Sequence, residues 1–536
     1  MKTIYKNFNL LCIALLSFAV LGCSDFLEEE NKSRETDVVA SSNPAFFDQL
    51  VAEVYNRMRA VTSSYDLEFL GTDIFTRGDI IAGINEINDY VNLRPVNGSV
   101  SNQWFVNYRV IAASNAAIDR SNEITGLTDA AKQIGLAEVK FFRAYAYFNL
   151  VEHFGGVPLV LNELRTSTVD FTRNTESEVY NQIILDLTDA LNGTPDAPSA
   201  YGRVSKNAVR HLYSKVLLTR GYKDFGSSQD FTQAASLAET VIAAHPLVNS
   251  FSTLVSRQSQ RNSEVIFSIL YGSNPVSRGV GNSRHLLFKF VYDVYPGQTR
   301  STLYHRGLGP APTPYFFSLF QENDQREAAT IRRLLLAEVN NATAGIAVGD
   351  TSIYFPKTAW SASVIQSKPY VVVNPSNYFI PNGFTQVQYP MFKKFDDPGV
   401  PYTNPGINPD GERDAIIMRS GETRLLAAEA YLQLNNTAKA AEHLNAIRSR
   451  AGLNQPITPA QVTIDLILDE SAKELAGEVS RWMDLKRTGR LIERVLAHNP
   501  HAALNNAIRP FHLLRPIPQS EIDVTGGILE QNPQYN

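Results

Sequence analysis

Three groups of residues in this 536-residue chain could do chemistry by their type and spacing. His498-Asn499-Pro500-His501 sets two imidazoles close enough to share a divalent cation. Pro500 interrupts a helix there and no third ligand follows, so the segment reads as a surface loop. Asp73 and Asp79 could form the carboxylate pair of a glycoside hydrolase, but with 54 acidic residues in the chain chance proximity explains them as well. Asn408, Asp410 and Glu412 lie in a Pro/Gly loop and supply the oxygen ligands calcium takes, Asp410 being the candidate ligand. The motifs HExxH, GxSxG and GxxxxGK[ST] are all missing, so zinc-protease, serine-hydrolase and P-loop chemistries lack their machinery. The expectation is a protein that is not an enzyme, with no cofactor beyond a structural calcium.

The N-terminus carries an address. Lys2 and Lys6 precede an apolar run from Leu10 to Leu21, too short for the ~20 residues that span a bilayer and suited to the core of a secretory signal. The run ends at Val20-Leu21-Gly22-Cys23, which resembles a bacterial lipobox, with Leu21 bulkier than is usual there. Cleavage after residue 22 would leave Cys23 as the lipidated first residue. The only other cysteine, Cys12, lies in the discarded segment, so the mature chain can form neither an internal disulfide nor a cysteine metal cluster. The formal charge is −5, and losing Lys2 and Lys6 makes it more acidic still. With no lysine/arginine-rich block, nothing supplies the basic face a nucleic-acid binder needs.

An apolar fraction of 44% excludes wholesale disorder and allows a large core. Helical periodicity marks 43–58, 102–123, 128–153 and 176–191. Two stretches read as helix-turn-helix pairs, 205–222 with 230–244 and 421–434 with 437–450, and their alanines give the small/large alternation of tetratricopeptide-type repeats. Residues 249–409 differ: they are dense in Gly, Pro, Asn, Tyr and Phe, with short β-like runs at 264–269 and 370–373. Binding residues concentrate in such loop-rich excursions.

Six separated motifs then resemble the SusD/RagB family of outer-membrane lipoproteins. They are Ala137-Glu138-Val139-Lys140-Phe141-Phe142-Arg143-Ala144 with Phe154-Gly155-Gly156-Val157-Pro158-Leu159; Gly202-Arg203-Val204-Ser205-Lys206-Asn207-Ala208; Met418-Arg419 to Glu429-Ala430; Leu444-Asn445-Ala446-Ile447-Arg448; Glu478 with Arg481-Trp482-Met483-Asp484-Leu485; and Leu514-Arg515-Pro516-Ile517-Pro518 with Gln531-Asn532-Pro533. Glu470-Ser471 and Gly477-Glu478-Val479 depart from the family pattern, both within expected scaffold. Glu28-Glu29-Glu30, just behind Cys23, resembles the surface-export signal of Bacteroidetes lipoproteins. The resemblance implies a mainly α fold: a SusD-like helical scaffold with tetratricopeptide-like pairs and a large loop-rich insert with short strands. The expected organisation is a signal at 1–22, a lipidated tether at 23–40 and one domain at 41–536. Within that domain the scaffold is 41–248 and 410–509, the insert 249–409 and a C-terminal loop segment 510–536. It further implies lipid anchoring in the outer membrane, exposure at the cell surface, and capture of poly- or oligosaccharide for a partner SusC-like TonB-dependent transporter. The alternatives are a peptide-binding lid on the same kind of transporter and a non-catalytic helical-repeat assembly scaffold.

Sugar rings present flat C–H faces to aromatic planes, and their hydroxyls need planar polar partners, so loop aromatics with polar neighbours are the candidates. Trp360, in Lys357-Thr358-Ala359-Trp360-Ser361, fits, as do Tyr292, Tyr295 and Tyr304. Asp73, Arg77, Asn88 and Tyr90 share another loop. The expected platform is Trp360 with Tyr292 or Tyr295, flanked by Arg77 and Asp73. Trp104, at helical spacing with Tyr108, Ile111 and Asn115, is expected in the core, and Arg481, Trp482 and Asp484 in a buried packing and ion-pair cluster.

Overall fold

Alternating small and large apolar residues at helical spacing build the scaffold, and polar caps set where each helix starts. The computed structural model describes residues 41–78, 82–274, 278–279, 281–307, 309–379, 387–400 and 411–535. Cys23, Asp79, Asn408 and Asp410 lie outside them. The first helices are α1 (Ala45–Thr62), α2 (Gly98–Arg120), α3 (Asp129–Phe154) and α4 (Glu176–Gly193), each packed on the next. Asn97 caps α2 by accepting from the Ser99 and Val100 N–H groups. Thr175 and Glu178 form a reciprocal capping box on α4. Gly155 ends α3 at φ 74°, a conformation that disfavours any side chain.

The two helix pairs are α5 (Lys206–Arg220) with α6 (Ser228–Ala244), and α7 (Ser420–Gln433) with α8 (Thr437–Arg450). α6 packs on α7, so repeats separated by the insert stack directly. Ala238 and Ala427 are fully buried in that seam. Alanine permits this close approach because it brings no side chain beyond Cβ. Further helices in the C-terminal half are α9 (Ile464–Leu475), α10 (Arg481–Arg487) and α11 (Leu491–His498).

The insert leaves and rejoins the scaffold at one place. Its entry strand, β2 (Val265–Ile269), pairs antiparallel with the strand that follows it, β9 (Ala415–Arg419). Earlier, β1 (Phe75–Arg77) pairs with β3 (Pro310–Pro312). Within the insert, β4 (Ile331–Arg332) pairs with β8 (Met391–Phe392), and β5 (Leu334–Leu336), β6 (Thr351–Tyr354) and β7 (Val371–Val372) form a three-stranded sheet in that order. The insert has a core of its own, in which Phe290, Tyr292, Tyr304, Phe355, Tyr378 and Tyr389 meet. The segment after 510 is less irregular than its composition suggests: it holds a 3-10 turn at Pro510–Leu513 and a helix at Gln519–Val524. Asn532 then ties the tail to the end of α3, its side chain donating to Phe154 O and Arg515 O at 2.9 and 2.7 Å.

Buried ion pairs fasten these parts together. Arg481 of α10 grips Asp73 with two hydrogen bonds of 2.8 and 2.7 Å, and Arg494 adds a third of 2.8 Å. Burial alone would raise the Asp73 carboxyl; the two guanidinium groups outweigh it and hold it at about 2. The same balance, against Lys486 and Lys223, holds Glu152 at about 2, and against Arg326 and Lys473 holds Glu470 at about 2. Carboxyls depressed in the folded state stabilise it fully above their unfolded range near pH 4, and that contribution is lost as pH falls towards 2. At 1.36 kcal/mol per unit, each is worth roughly 2–3 kcal/mol. The melting temperature is therefore expected to hold between pH 7 and 5 and to fall steeply below about pH 4.5. Calorimetry across that range checks it, and a melting temperature unchanged at pH 3 would contradict it.

Candidate ligand-binding face

The structure divides the residues picked out by sequence. Asp73 is fully buried beneath its two arginines and has no free lone pair aimed at solvent, which corrects the expectation that it flanks a ligand. Tyr90 is also buried, at a positive φ of 57°, with its hydroxyl donating to Gly71 O at 2.5 Å. Tyr292 and Tyr304 are buried edge-on against each other, ring centroids 5.6 Å apart. Their hydroxyls accept from the N–H groups of Ser301 (3.1 Å) and Leu336 (2.9 Å). These three tyrosines pin loops and offer no face to a ligand, so Tyr292 leaves the expected platform and Tyr90 and Tyr304 leave the candidate binding residues. Tyr295 is half-buried and donates to Gln388. Arg77 is half-buried and pairs with Asp89 at 3.2 Å.

Trp360 is different. Its indole is partly exposed and tilts over Tyr354, with centroids 5.2 Å apart. The backbone beneath it is fixed by Asn374, whose side chain accepts from Trp360 N and donates to Trp360 O, both at 2.9 Å. Sheet register then extends the surface. Leu335 pairs with Ile353, and both are fully buried in the insert core. By alternation, Leu334, paired with Tyr354, lies on the opposite face, and Tyr354 pairs in turn with Val372. Leu334 and Leu336 are each 42% exposed. Leu334, Tyr354 and Val372 thus line up across three strands with Trp360 resting on the middle one. Sequence reading missed the leucines and Tyr354, since the run Leu334-Leu335-Leu336 carries no polar alternation to reveal which side is wet.

A cavity of about 370 Å³ adjoins this face at Leu334, with Arg332, Arg333, Lys357, Lys393 and Glu327 among its walls. A second, more apolar cavity of about 390 Å³ lies between α2 and the C-terminal segment, against Trp104, Tyr108 and Leu529. Trp104 itself is 4% exposed and packs edge-on against Phe154, in the core as its spacing predicts. The two histidines that could suggest a metal are otherwise engaged. His498 stacks on Tyr315 at 3.6 Å, and His501 Nδ1 is 2.7 Å from the Thr76 hydroxyl. Among the described residues no group of three or more His, Cys, Asp or Glu is arranged to hold a metal ion.

Two family models cover most of this architecture. Residues 312–535 match one described as the SusD family, and residues 25–218 match one described as starch-binding associating with outer membrane. The chain belongs to the SusD-like family. A SusD-like protein of Formosa agariphila, P25, is 25% identical to it over 98% of this chain and 99% of its own length. Among solved structures, a laminarin-binding SusD-like protein superposes with a TM-score of 0.66 at 24% identity, covering 92% of this chain and 100% of that one. Surface glycan-binding protein A of Bacteroides thetaiotaomicron, in complex with laminarihexaose, gives 0.69 at 20% identity, with 91% and 98% covered. These likenesses establish the mainly helical SusD-like fold. No helix among the described residues is long and apolar enough to cross a membrane.

Proposed function

We propose that this SusD-like protein is a non-catalytic glycan receptor, held at the outer membrane by lipid on Cys23, that passes oligosaccharide to a TonB-dependent SusC-like transporter. The observation that carries the reading is the partly exposed strip of Leu334, Tyr354 and Val372 crowned by Trp360, whose ring is tilted 41° from that of Tyr354. Apolar and aromatic groups gathered on one sheet face suit the C–H faces of sugar rings. Glycan binding in the relatives supports it, as does the outer-membrane association in the description of the N-terminal family model. At β5, one of the two edge strands of this sheet, Leu336 N and O are already bonded to Tyr304 (2.9 Å) and Gln298 (2.8 Å), which hinders strand addition by a peptide along that edge.

The chain contains three tryptophans, and Trp104 and Trp482 are buried at 4% and 0% exposure. Trp360 is therefore the indole that a stacking ligand would touch. Titrating the soluble protein beginning after Cys23 with an oligosaccharide panel should change its tryptophan emission and release heat in a calorimeter. Retention of a peptide pool with no response to any saccharide would overturn the reading.

A further inference from the structure

The cavity beside Leu334 and the Trp360 strip form one surface, because Leu334 belongs to both and Lys357 of the cavity wall lies three residues before Trp360. Five cations border that surface: Arg332, Arg333, Lys357 and Lys393 around the cavity, and Lys368, whose Nζ is 5.7 Å from the centre of the Trp360 ring. Three acids share the cavity wall, Glu322, Asp324 and Glu327, and Asp324 is taken up by the buried Arg326. Three of the five cations are matched. Arg333 and Lys357 share Glu327, and Arg332 pairs with Asp396. Lys368 and Lys393 have no carboxylate partner among the described residues. Partial burial, and then repulsion from Arg332, push the Lys393 ammonium below the ordinary lysine range, against the opposing pull of Asp396. Glu322, also on the cavity wall, is the acid there without an ion pair among the described residues.

We infer that the glycan this face takes is anionic, a uronate or sulfate-ester saccharide, with apolar ring faces on the Trp360 strip and acid groups turned towards Lys393 in the cavity and Lys368 beside the indole. The inference rests on the glycan-receptor reading and specifies its substrate class. An acidic group at either lysine gains charge-assisted hydrogen bonds, and Glu327, already holding two cations, does not compete for them. Neutral sugars would satisfy the strip and leave both ammonium groups to water.

Calorimetry with the soluble protein, using an oligogalacturonate, a sulfated galactan oligosaccharide and a neutral β-glucan hexasaccharide, tests this. One or both anionic probes should bind about tenfold tighter than the neutral one at low salt, with the advantage shrinking as salt is raised. Which anionic probe wins separates carboxylate from sulfate. The double variant Lys368→Gln/Lys393→Gln should lose most of the anionic advantage and flatten the salt dependence, with an unchanged melting temperature confirming the fold. Glu322→Gln should strengthen anionic binding severalfold, a gain that structural damage cannot mimic. Neutral glycan binding equally well, or a double variant that keeps the full preference, would sink the inference while leaving the receptor reading intact. Peptide capture with no saccharide bound at all would instead sink the receptor reading and the inference with it.

Discussion

Replacing Glu474 with Gln is expected to cost roughly 3–5 kcal/mol of folding stability, because it breaks a buried charge network without filling the gap. Glu474 is fully buried on α9, and one oxygen accepts from both Arg419 (2.7 Å) and Arg450. Its other oxygen lies 3.6 Å from Arg326, which is itself bonded to Asp324 at 2.6 Å and Glu470 at 2.9 Å. Arg419 and Arg450 also share Glu264, at 2.8 and 3.0 Å. Burial by itself would raise the Glu474 carboxyl, but the charges of Arg450, Arg419 and Arg326 outweigh it and hold it well below the usual carboxylate range. Gln preserves the shape and removes the charge, leaving Arg419 and Arg450 to share Glu264, with Glu478 still bonded to Arg419 but Arg450 holding no other carboxylate of the network. A like-charge contact near 4 Å costs about 4 kcal/mol at an effective dielectric of 20.

The comparison that isolates burial is Arg165→Met, which removes exposed ion pairs with Glu123 and Glu163 from a side chain that is 52% exposed. That change should leave stability nearly unchanged, because water screens an exposed pair. Urea unfolding of both variants decides the matter, and a loss below about 1 kcal/mol for Glu474→Gln would mean the network is energetically neutral. The network also has a geometric consequence. Glu264 and Arg326 belong to the insert, whereas Glu474, Arg419 and Arg450 belong to the late strand and helices. Weakening it should therefore speed proteolysis of the insert before the helical core opens.

The scaffold was legible because its signals are local. Periodicity in 128–153 and 437–450 gives α3 and α8 to within a residue or two, since burial on a helix repeats every three or four positions. The role of Arg481 was half legible: its place beside Trp482 suggested a buried ion pair, but Asp73, its partner, stands 408 positions away and nothing local announces it. The candidate site was harder for a specific reason. Residues 249–409 have the composition of surface loop, so Tyr292, Tyr304 and Trp360 all read as exposed aromatics. The insert instead folds around its own aromatic core. Tyrosine can be buried there because one hydroxyl finds a backbone partner, as Tyr304 does at Leu336. Trp360, resting on the outer side of the sheet, stays partly exposed. Sequence supplied the residue types, and only strand register could say which side of the sheet each one faces.

Trp360→Ala is expected to weaken glycan binding tenfold or more, about 1.4 kcal/mol, with stability changed by less than about 0.5 kcal/mol. The separation follows from how the residue is held. Asn374 fixes the loop through Trp360 N and O, at 2.9 Å each, and those bonds survive truncation of the ring. The indole is only partly buried, so its loss opens no cavity in the insert core. What disappears is the plane resting on Tyr354, which is the feature a sugar ring would need. Trp360→Phe should recover part of the affinity, because a smaller ring still covers Tyr354, whereas Trp360→Leu supplies apolar area without a flat face and should not. If affinity tracked apolar area alone, Leu and Phe would perform alike. A loss confined to Ala and Leu, with all three variants melting together, would assign the effect to stacking. Undiminished binding by Trp360→Ala would move the site off this sheet.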